Sequence, residues 1–349
     1  MAPRTVTREQ LAGAARAALG GGRRLETVER LTGGSKKGVY RLTMDDATTA
    51  VAYLWEASEN YWPTAEGDDD LTNPFAPGSG LDLFEAARAR LDSLGLRVPE
   101  LHLTDRDGMH HPAELAILED FPGENLLDLL DRDPHAAEPT MARLADALAA
   151  MGSHRGPSFG KVGLIDAGGV SRGASGEEAA LGFGLRCLAE AAARDGRIAG
   201  ARDRLEERLL ELAAAVRPRA EHSVVHGELG LDHVLVDRAG NPVLIDIEDL
   251  MYFDVEWEHV FLRLRHPDDH CRRFAAEGLD EDRLALYTLV QRLSLTAGPL
   301  RLLEGDFPHR AFMKAIAEHH GHEALALVPV VQTPSGRGVA DGARACGHR

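Results

Sequence analysis

VVHGELGLDHVLVDRAGNPVLIDIED occupies residues 224–249 and places its charged and imidazole side chains at telling intervals. Counting from His226, a carboxylate follows at +2 (Glu228), a second imidazole at +7 (His233) and another carboxylate at +20 (Asp246). Between the last two lie HVLVD and PVLID, joined by Arg238-Ala239-Gly240-Asn241, which is hairpin turn chemistry. Adjacent strands hold their residues a few ångströms apart. His233 opens one strand and Asp246 closes the other, so the hairpin fixes their separation.

Upstream, residues 26–55 read as a β-meander: ETVERLTGG, a Gly-rich turn, GVYRLTM, a turn at Asp45-Asp46-Ala47, then TTAVAYLW. Thr7 caps a short helix before it, with Gln10 completing a capping box. Residues 56–80 hold Pro, Gly, Asp and Asn without period and read as a long loop, a length that points to either mobility or function. Within it Asn60, Tyr61 and Trp62 are candidates for a lid or for an aromatic cluster packing one lobe. Asp82 to Gly95 carries Leu83, Phe84, Ala87, Leu91 and Leu94 at helical spacing. VPELHLTD and AELAILEDF are two further strands. Residues 124–151, 177–217, 281–303 and 309–327 are mainly helical by period, with only the hairpin embedded among them. The order predicts an α+β, bilobal fold. Its expected parts are a β-rich N-lobe over 1–121, a helical C-lobe over 122–332 and a mobile tail over 333–349.

Phosphoryl transfer from a nucleotide needs one carboxylate to take or orient the proton of the attacking hydroxyl. It also needs a loop side chain and a second carboxylate to hold a metal on the phosphates. Kinase loops of the H-x-D-x-x-x-x-N kind, followed by D-F-G, have this layout. His226-Gly227-Glu228, His233-Val234-Leu235-Val236-Asp237 and Ile245-Asp246 resemble the catalytic stretch of aminoglycoside phosphotransferase-like kinases, a superfamily that includes choline and homoserine kinases. Leu31-Thr32-Gly33-Gly34-Ser35 with Val39-Tyr40-Arg41-Leu42 is similar to that family's nucleotide-covering hairpin. Phe84-Glu85-Ala86-Ala87 resembles its N-lobe helix, and Leu118-Glu119-Asp120-Phe121-Pro122-Gly123 its adenine-receiving hinge. Leu144-Ala145 onward and Phe159-Gly160-Lys161 resemble the first C-lobe helix and its exit.

The resemblance implies a protein-kinase-like fold binding ATP or GTP with Mg²⁺ or Mn²⁺. It implies Glu228 with His226 as the catalytic pair and Asp246, His233 and Asp232 as metal ligands, with Glu248 or Asp249 as other oxygen donors. Nucleotide contacts would come from Gly34, Ser35, Lys36, Lys37, Glu85 and the Glu119–Phe121 backbone. The chain departs from the family in three places. Glu228 stands for Asp and is one methylene longer. His233 stands for Asn and offers nitrogen where Mg²⁺ takes oxygen. The third strand, Ala50-Val51-Ala52-Tyr53-Leu54-Trp55, lacks the base that pairs with the phosphates and the helix acid. Lys36 and Lys37, and less directly Arg41, are the bases left to replace it.

The formal charge of −17, from 56 acids against 39 bases, argues against a nucleic-acid or anionic-membrane binder. All but four of the bases are arginine, the lysines being Lys36, Lys37, Lys161 and Lys314. Three scattered cysteines write no disulfide framework and suit a cytoplasmic setting. No apolar run approaches a membrane span. His259, His266 and His270 lack zinc-site geometry, and His319, His320 and His322 read as solvated charges at a helix end. Asp254, Glu256 and Glu258 alternate beyond Asp246 and are candidates to meet a cationic substrate or to support the loop. The expected function is transfer of a γ-phosphoryl group to a hydroxyl of a small molecule, with a cationic antibiotic as the acceptor in view. The alternative is a pseudokinase that binds ligand and regulates a partner. Oligomeric state is not written in the sequence.

Overall fold

The computed structural model describes residues 6–328 except 33, 64–67, 267–273 and 275–277. Gly33, His270, Cys271, Cys346 and the tail expected over 333–349 therefore lie outside the described residues.

The N-lobe is an antiparallel sheet between two helices. Helix α1 (Arg8–Leu19) opens with the expected box: Thr7 caps the Gln10 N–H and the Gln10 side chain accepts from the Thr7 N–H at 2.8 Å. Strands β1 (Leu25–Arg30), β2 (Gly38–Met44), β3 (Thr49–Trp55), β4 (Leu101–Asp105) and β5 (Glu114–Glu119) pair in the order β1-β2-β3-β5-β4. Alternation sorts the side chains. Tyr40, Leu42, Ala50, Ala52, Leu115 and Ile117 pack under α1, while Val51, Tyr53, Ala116 and Leu118 face α2 (Leu81–Ser93) with Phe84, Ala87 and Leu91. β3 is central and buried on both faces from Ala50 to Leu54, so its sequence reads as a continuous apolar run.

The C-lobe begins with α3 (Leu126–Arg132) and α4 (Pro134–Ser153), split where Asp133 caps a new start and Pro134 takes the first turn. Next come β6 (Arg155–Gly156), β7 (Gly160–Lys161) and α5 (Val162–Asp166). Helices α6 (Gly176–Arg194) and α7 (Gly196–Ala215) are separated at Asp195, which caps the second. Then follow β8 (His222–Val225), the hairpin β9 (Val234–Val236) and β10 (Pro242–Leu244), and β11 (Met251–Phe253). Helices α8 (Val255–Arg265), α9 (Glu281–Leu302) and α10 (Arg310–Ala326) complete the lobe. A small sheet, β6-β8-β11-β7, carries the loop after β8 and the segment before β11 to the cleft. Among the described residues no helix is long and apolar enough to cross a membrane.

Two expectations are corrected. The His triplet does not end α10: the helix runs on to Ala326, and His320 is buried with Arg292 donating to its Nδ1 at 2.8 Å. Burial first, then the neighbouring Arg292, lowers the His320 pKa to about 3, so it is neutral rather than a solvated charge. Residues 56–63 and 68–80 do not pack one lobe but strap both. Glu59 is fully buried and accepts from Tyr40 and Arg30 in the N-lobe. The Tyr61 ring stands edge-on to Phe307 at 5.3 Å, and Arg301 lies 5.3 Å from the Trp62 ring. Phe75 stacks on Phe183 at 4.7 Å and meets Phe253 and Trp257 in the C-lobe. Phe75→Ala is expected to cost about 2–3 kcal/mol, below a fully buried ring because part of Phe75 stays in solvent. The melting midpoint reads it, and an unchanged midpoint would mean that the strap adds nothing to stability.

Candidate active site

The His226–Glu228 loop hangs from the start of α8. The buried Glu258 carboxylate accepts the His226 and Gly227 N–H groups, the latter at 3.3 Å, and the Trp257 indole donates to the Gly227 carbonyl at 3.2 Å. Burial pushes the Glu258 carboxyl above its ordinary pKa, against the opposing pull of His226 and the loop N–H groups. Gly227 has φ +94°, a conformation that glycine adopts without steric cost.

His226 is fully buried, and its Nε2 donates to the Ile245 carbonyl at 3.0 Å. It ties the loop to the residue before Asp246 and cannot touch a substrate, so the expectation of a catalytic His226 is corrected to a positioning one. Glu228 is exposed at the cleft, and its charge reaches Lys36. The His233 Nδ1–H donates to the Glu228 carbonyl at 3.0 Å. A carbonyl only accepts, so Nδ1 carries the proton of this bond and Nε2 is turned toward the carboxylates. That Nε2 lies 3.9 Å from Asp246 and 3.9 Å from Asp232. Asp232 is held by Arg265 at 2.6 Å through one oxygen, and its other oxygen is buried with no hydrogen-bond partner among the described residues. Burial raises the Asp232 pKa, but His233 and Arg265 outweigh it and leave the group below its ordinary value.

Asp246 sits in the left-handed region at φ 59°, uncommon for a residue with a side chain, and keeps 48 % of that side chain exposed. Around it three of the chain's four lysines meet three carboxylates. Lys37 donates to Asp246 at 2.8 Å and to Glu248 at 2.5 Å. Lys36 reaches Asp249 at 2.9 Å, and Lys161 bonds the other Asp249 oxygen, which also accepts the Gly78 N–H at 2.7 Å. The Lys37 ammonium holds Asp246 far below the usual carboxylate range. Burial would raise Asp249, but Lys161 and Lys36 hold it far below that range. Burial likewise pulls Lys36 and Lys37 down, and these carboxylates override it, so both stay charged.

The turn that carries Lys36 and Lys37 is tight. A β-carbon on Gly34 would lie 2.5 Å from the Lys37 carbonyl. Ser35 accepts from the Tyr61 N–H at 2.9 Å and from the Trp62 indole at 3.0 Å, so the strap holds the turn. At the hinge, the Glu119 N–H is spent on the Glu100 carbonyl at 2.8 Å and its side chain on Arg97. The Phe121 N–H has no backbone partner among the described residues.

Three more expectations are corrected. Glu85 does not reach the cleft; it pairs with Arg106 at 2.6 Å on the surface. Arg41 is bound in a fork to the buried Asp120 at 2.8 and 3.0 Å and is not a free phosphate ligand. Asp254, Glu256 and Glu258 are all buried, with Arg283, Tyr287 and Arg219 pairing the first two, so none of the three faces a substrate. Sequence reasoning missed Tyr53, Lys161 and the pairing of Glu248. The signal available was the scarcity of lysine in an arginine-rich chain.

No three His, Cys, Asp or Glu side chains among the described residues form a ready cage for a metal. Mg²⁺ needs none: it binds through one or two carboxylates and completes its shell with water and phosphate. Asp246 offers one such carboxylate and Asp232 a further oxygen, whereas the His233 Nε2, 3.9 Å from each, is a nitrogen that suits Mn²⁺ better than Mg²⁺.

The profile of the phosphotransferase enzyme family matches residues 27–293. The chain belongs to that family. Its architecture is similar to solved structures at low identity. A spectinomycin phosphotransferase in complex with ADP and spectinomycin aligns at TM-score 0.60 and 12 % identity, over 93 % of this chain and 99 % of that one. A choline kinase from Streptococcus pneumoniae aligns at 0.59 and 13 %, over 90 % and 98 %. A thermostable mutant of an aminoglycoside phosphotransferase aligns at 0.58 and 16 %, over 86 % and 95 %. No curated protein matches the sequence. The family member described here shares the bilobal architecture of these solved phosphotransferases and kinases.

Proposed function

We propose that this kinase moves the γ-phosphoryl group of ATP or GTP to a hydroxyl of a small molecule. The observation that carries the reading is the meeting of N-lobe Lys36 and Lys37 with Asp246, Glu248 and Asp249 beside the exposed Glu228. A triphosphate brings a large negative charge to a site where ammonium groups are already gathered. Glu228 takes the hydroxyl proton as the oxygen attacks phosphorus, and the bond from phosphorus to the nucleoside diphosphate breaks. Lys36 and the Ser35 turn cover the phosphates, and the hinge Phe121 N–H meets the base. Asp246 and His233 would hold Mg²⁺ or Mn²⁺, with Asp232 as a further oxygen donor; the ion supplies charge neutralisation at the phosphates.

The structural neighbours that carry spectinomycin and hygromycin B support an amine-rich antibiotic as the acceptor. The net charge of −17 agrees with it. The three buried acids of 254–258 lend it nothing. A cytoplasmic setting fits a nucleotide-dependent reaction. A second reading is a binding module without turnover, favoured by one observation: Lys37 already neutralises Asp246 inside the chain.

A melting titration with ATP and GTP, each with Mg²⁺, Mn²⁺ or chelator, tests the proposal. Nucleotide at 100 times its Kd is expected to stabilise the fold by about 2.7 kcal/mol, and only with metal present. A preference for Mn²⁺ would mark His233 as a ligand, since Mn²⁺ accepts imidazole more readily. A midpoint that no nucleotide moves would remove the phosphotransferase mechanism.

A further inference from the structure

We propose that Lys37 does the work of the strand base that this chain lacks, with Glu248 of the opposite lobe as its partner. The inference rests on the phosphotransferase reading and deepens it. In protein kinases the phosphate-anchoring lysine stands on the third strand and pairs with an acid on the N-lobe helix. Here β3 presents Tyr53 to the cleft side of the sheet, and no base. The space is filled from the neighbouring turn. The Lys37 Nζ lies 4.8 Å from the centre of the Tyr53 ring, and the residue after Lys37 begins β2, paired with Leu54 of β3. The ammonium thus rests on the face from which a strand base would project, held by cation–π attraction and by carboxylates.

The partner has moved as well. Glu85 on α2 is turned outward to Arg106. Glu248 is 4 % exposed, bonds Lys37 through one oxygen, and keeps its second oxygen buried and without a hydrogen-bond partner among the described residues. An acid so buried is there to hold a cation. Lys37 touches both Asp246 and Glu248. A metal taken up by Asp246 would displace Lys37 from that carboxylate but not from Glu248, leaving the ammonium aimed at the phosphates. A compact ammonium can turn between such partners, whereas a planar guanidinium fork is committed to one geometry. That fits a chain that uses lysine so rarely and places three of its four lysines here. The pair also spans the lobes, so the lysine is positioned only when the cleft is closed.

Calorimetric titration of the full chain with Mg²⁺–AMP-PNP and with adenosine tests this, using wild type, Lys37→Met, Lys37→Arg, Glu248→Gln, Glu248→Asp and Glu85→Gln. Loss of a charged phosphate contact is expected to weaken AMP-PNP about 10- to 100-fold in Lys37→Met and leave adenosine unchanged. Lys37→Arg should fail to restore it. Glu248→Gln should weaken AMP-PNP in the same direction, with partial recovery in Glu248→Asp, and Glu85→Gln should match wild type. A Lys37→Met protein that melts like wild type and binds AMP-PNP equally well overturns the relocation alone. So does a loss of affinity in Glu85→Gln with none in Glu248→Gln. A wild-type chain that binds no Mg²⁺–AMP-PNP overturns the phosphotransferase reading and the relocation with it.

Discussion

Glu228→Gln is expected to lower phosphoryl transfer by about 10²- to 10⁴-fold while leaving nucleotide-dependent stabilisation intact. The amide keeps the shape and loses the ability to take a proton. Glu228 is exposed at the mouth of the cleft, so the change leaves no buried group unpaired and the fold should not notice it. The measurement is single-turnover transfer of the γ-phosphoryl group to an acceptor found by screening, beside a melting titration of the same protein. Glu228→Asp separates two histories. Its carboxylate retracts by about 1.5 Å, and a misplacement of that order costs on the order of 10²-fold when the loop is built around the longer side chain. A faster Asp variant would show a loop that merely tolerates Glu. Equal turnover in wild type and the Gln variant would remove Glu228 from the chemistry.

Arg283→Met is expected to destabilise the chain by about 3 kcal/mol, because it removes the cation bonded to the buried Asp254 and leaves that carboxylate to the more distant Arg219 at 3.5 Å. Arg283 is 1 % exposed. It bonds Asp254, the Arg217 carbonyl and the Tyr287 hydroxyl, with Glu177 at 3.7 Å. Asp254 immediately precedes α8, the helix from which Trp257 and Glu258 suspend the catalytic loop. The melting midpoint should fall by about 4 °C. Pairing the change with Asp254→Asn should return part of the loss, since removing both charges strands neither. A single variant as stable as wild type would mean that the network is not sealed from water.

What could be read in the sequence was what local pattern enforces. The meander, the amphipathic α2 and the β9–β10 hairpin follow from alternation, helical period and turn residues. The spacing from His226 to Asp246 brought Glu228, His233 and Asp246 to one place, as the structure does. The small sheet β6-β8-β11-β7 was illegible: its strands have two to four residues and too little length to show alternation. The ion pairs were harder still. Lys37 and Glu248 are 211 residues apart, and no local rule joins them. The third strand was read rightly as lacking a base, but the inference stopped at Glu85 without a partner. Arg106 supplies that partner on the surface, while the cleft recruits its acid from beyond Asp246. The strap could not be seen either, because Phe75 finds Phe183 and Trp257 only once both lobes are built.

The gathering of lysines also decides how the molecule meets amine-reactive reagents. Lys37 and Lys161 are sealed beneath carboxylates, Lys36 keeps 22 % of its side chain in solvent and Lys314 keeps 69 %. The rest of the basic surface is guanidinium, which acylating reagents at neutral pH leave alone. Dye coupling through lysine is thus directed first to Lys314 on α10, the most exposed of the four. A rise in acylation at Lys37 then becomes a gauge of parted lobes, legible by mass spectrometry against the exposed Lys314.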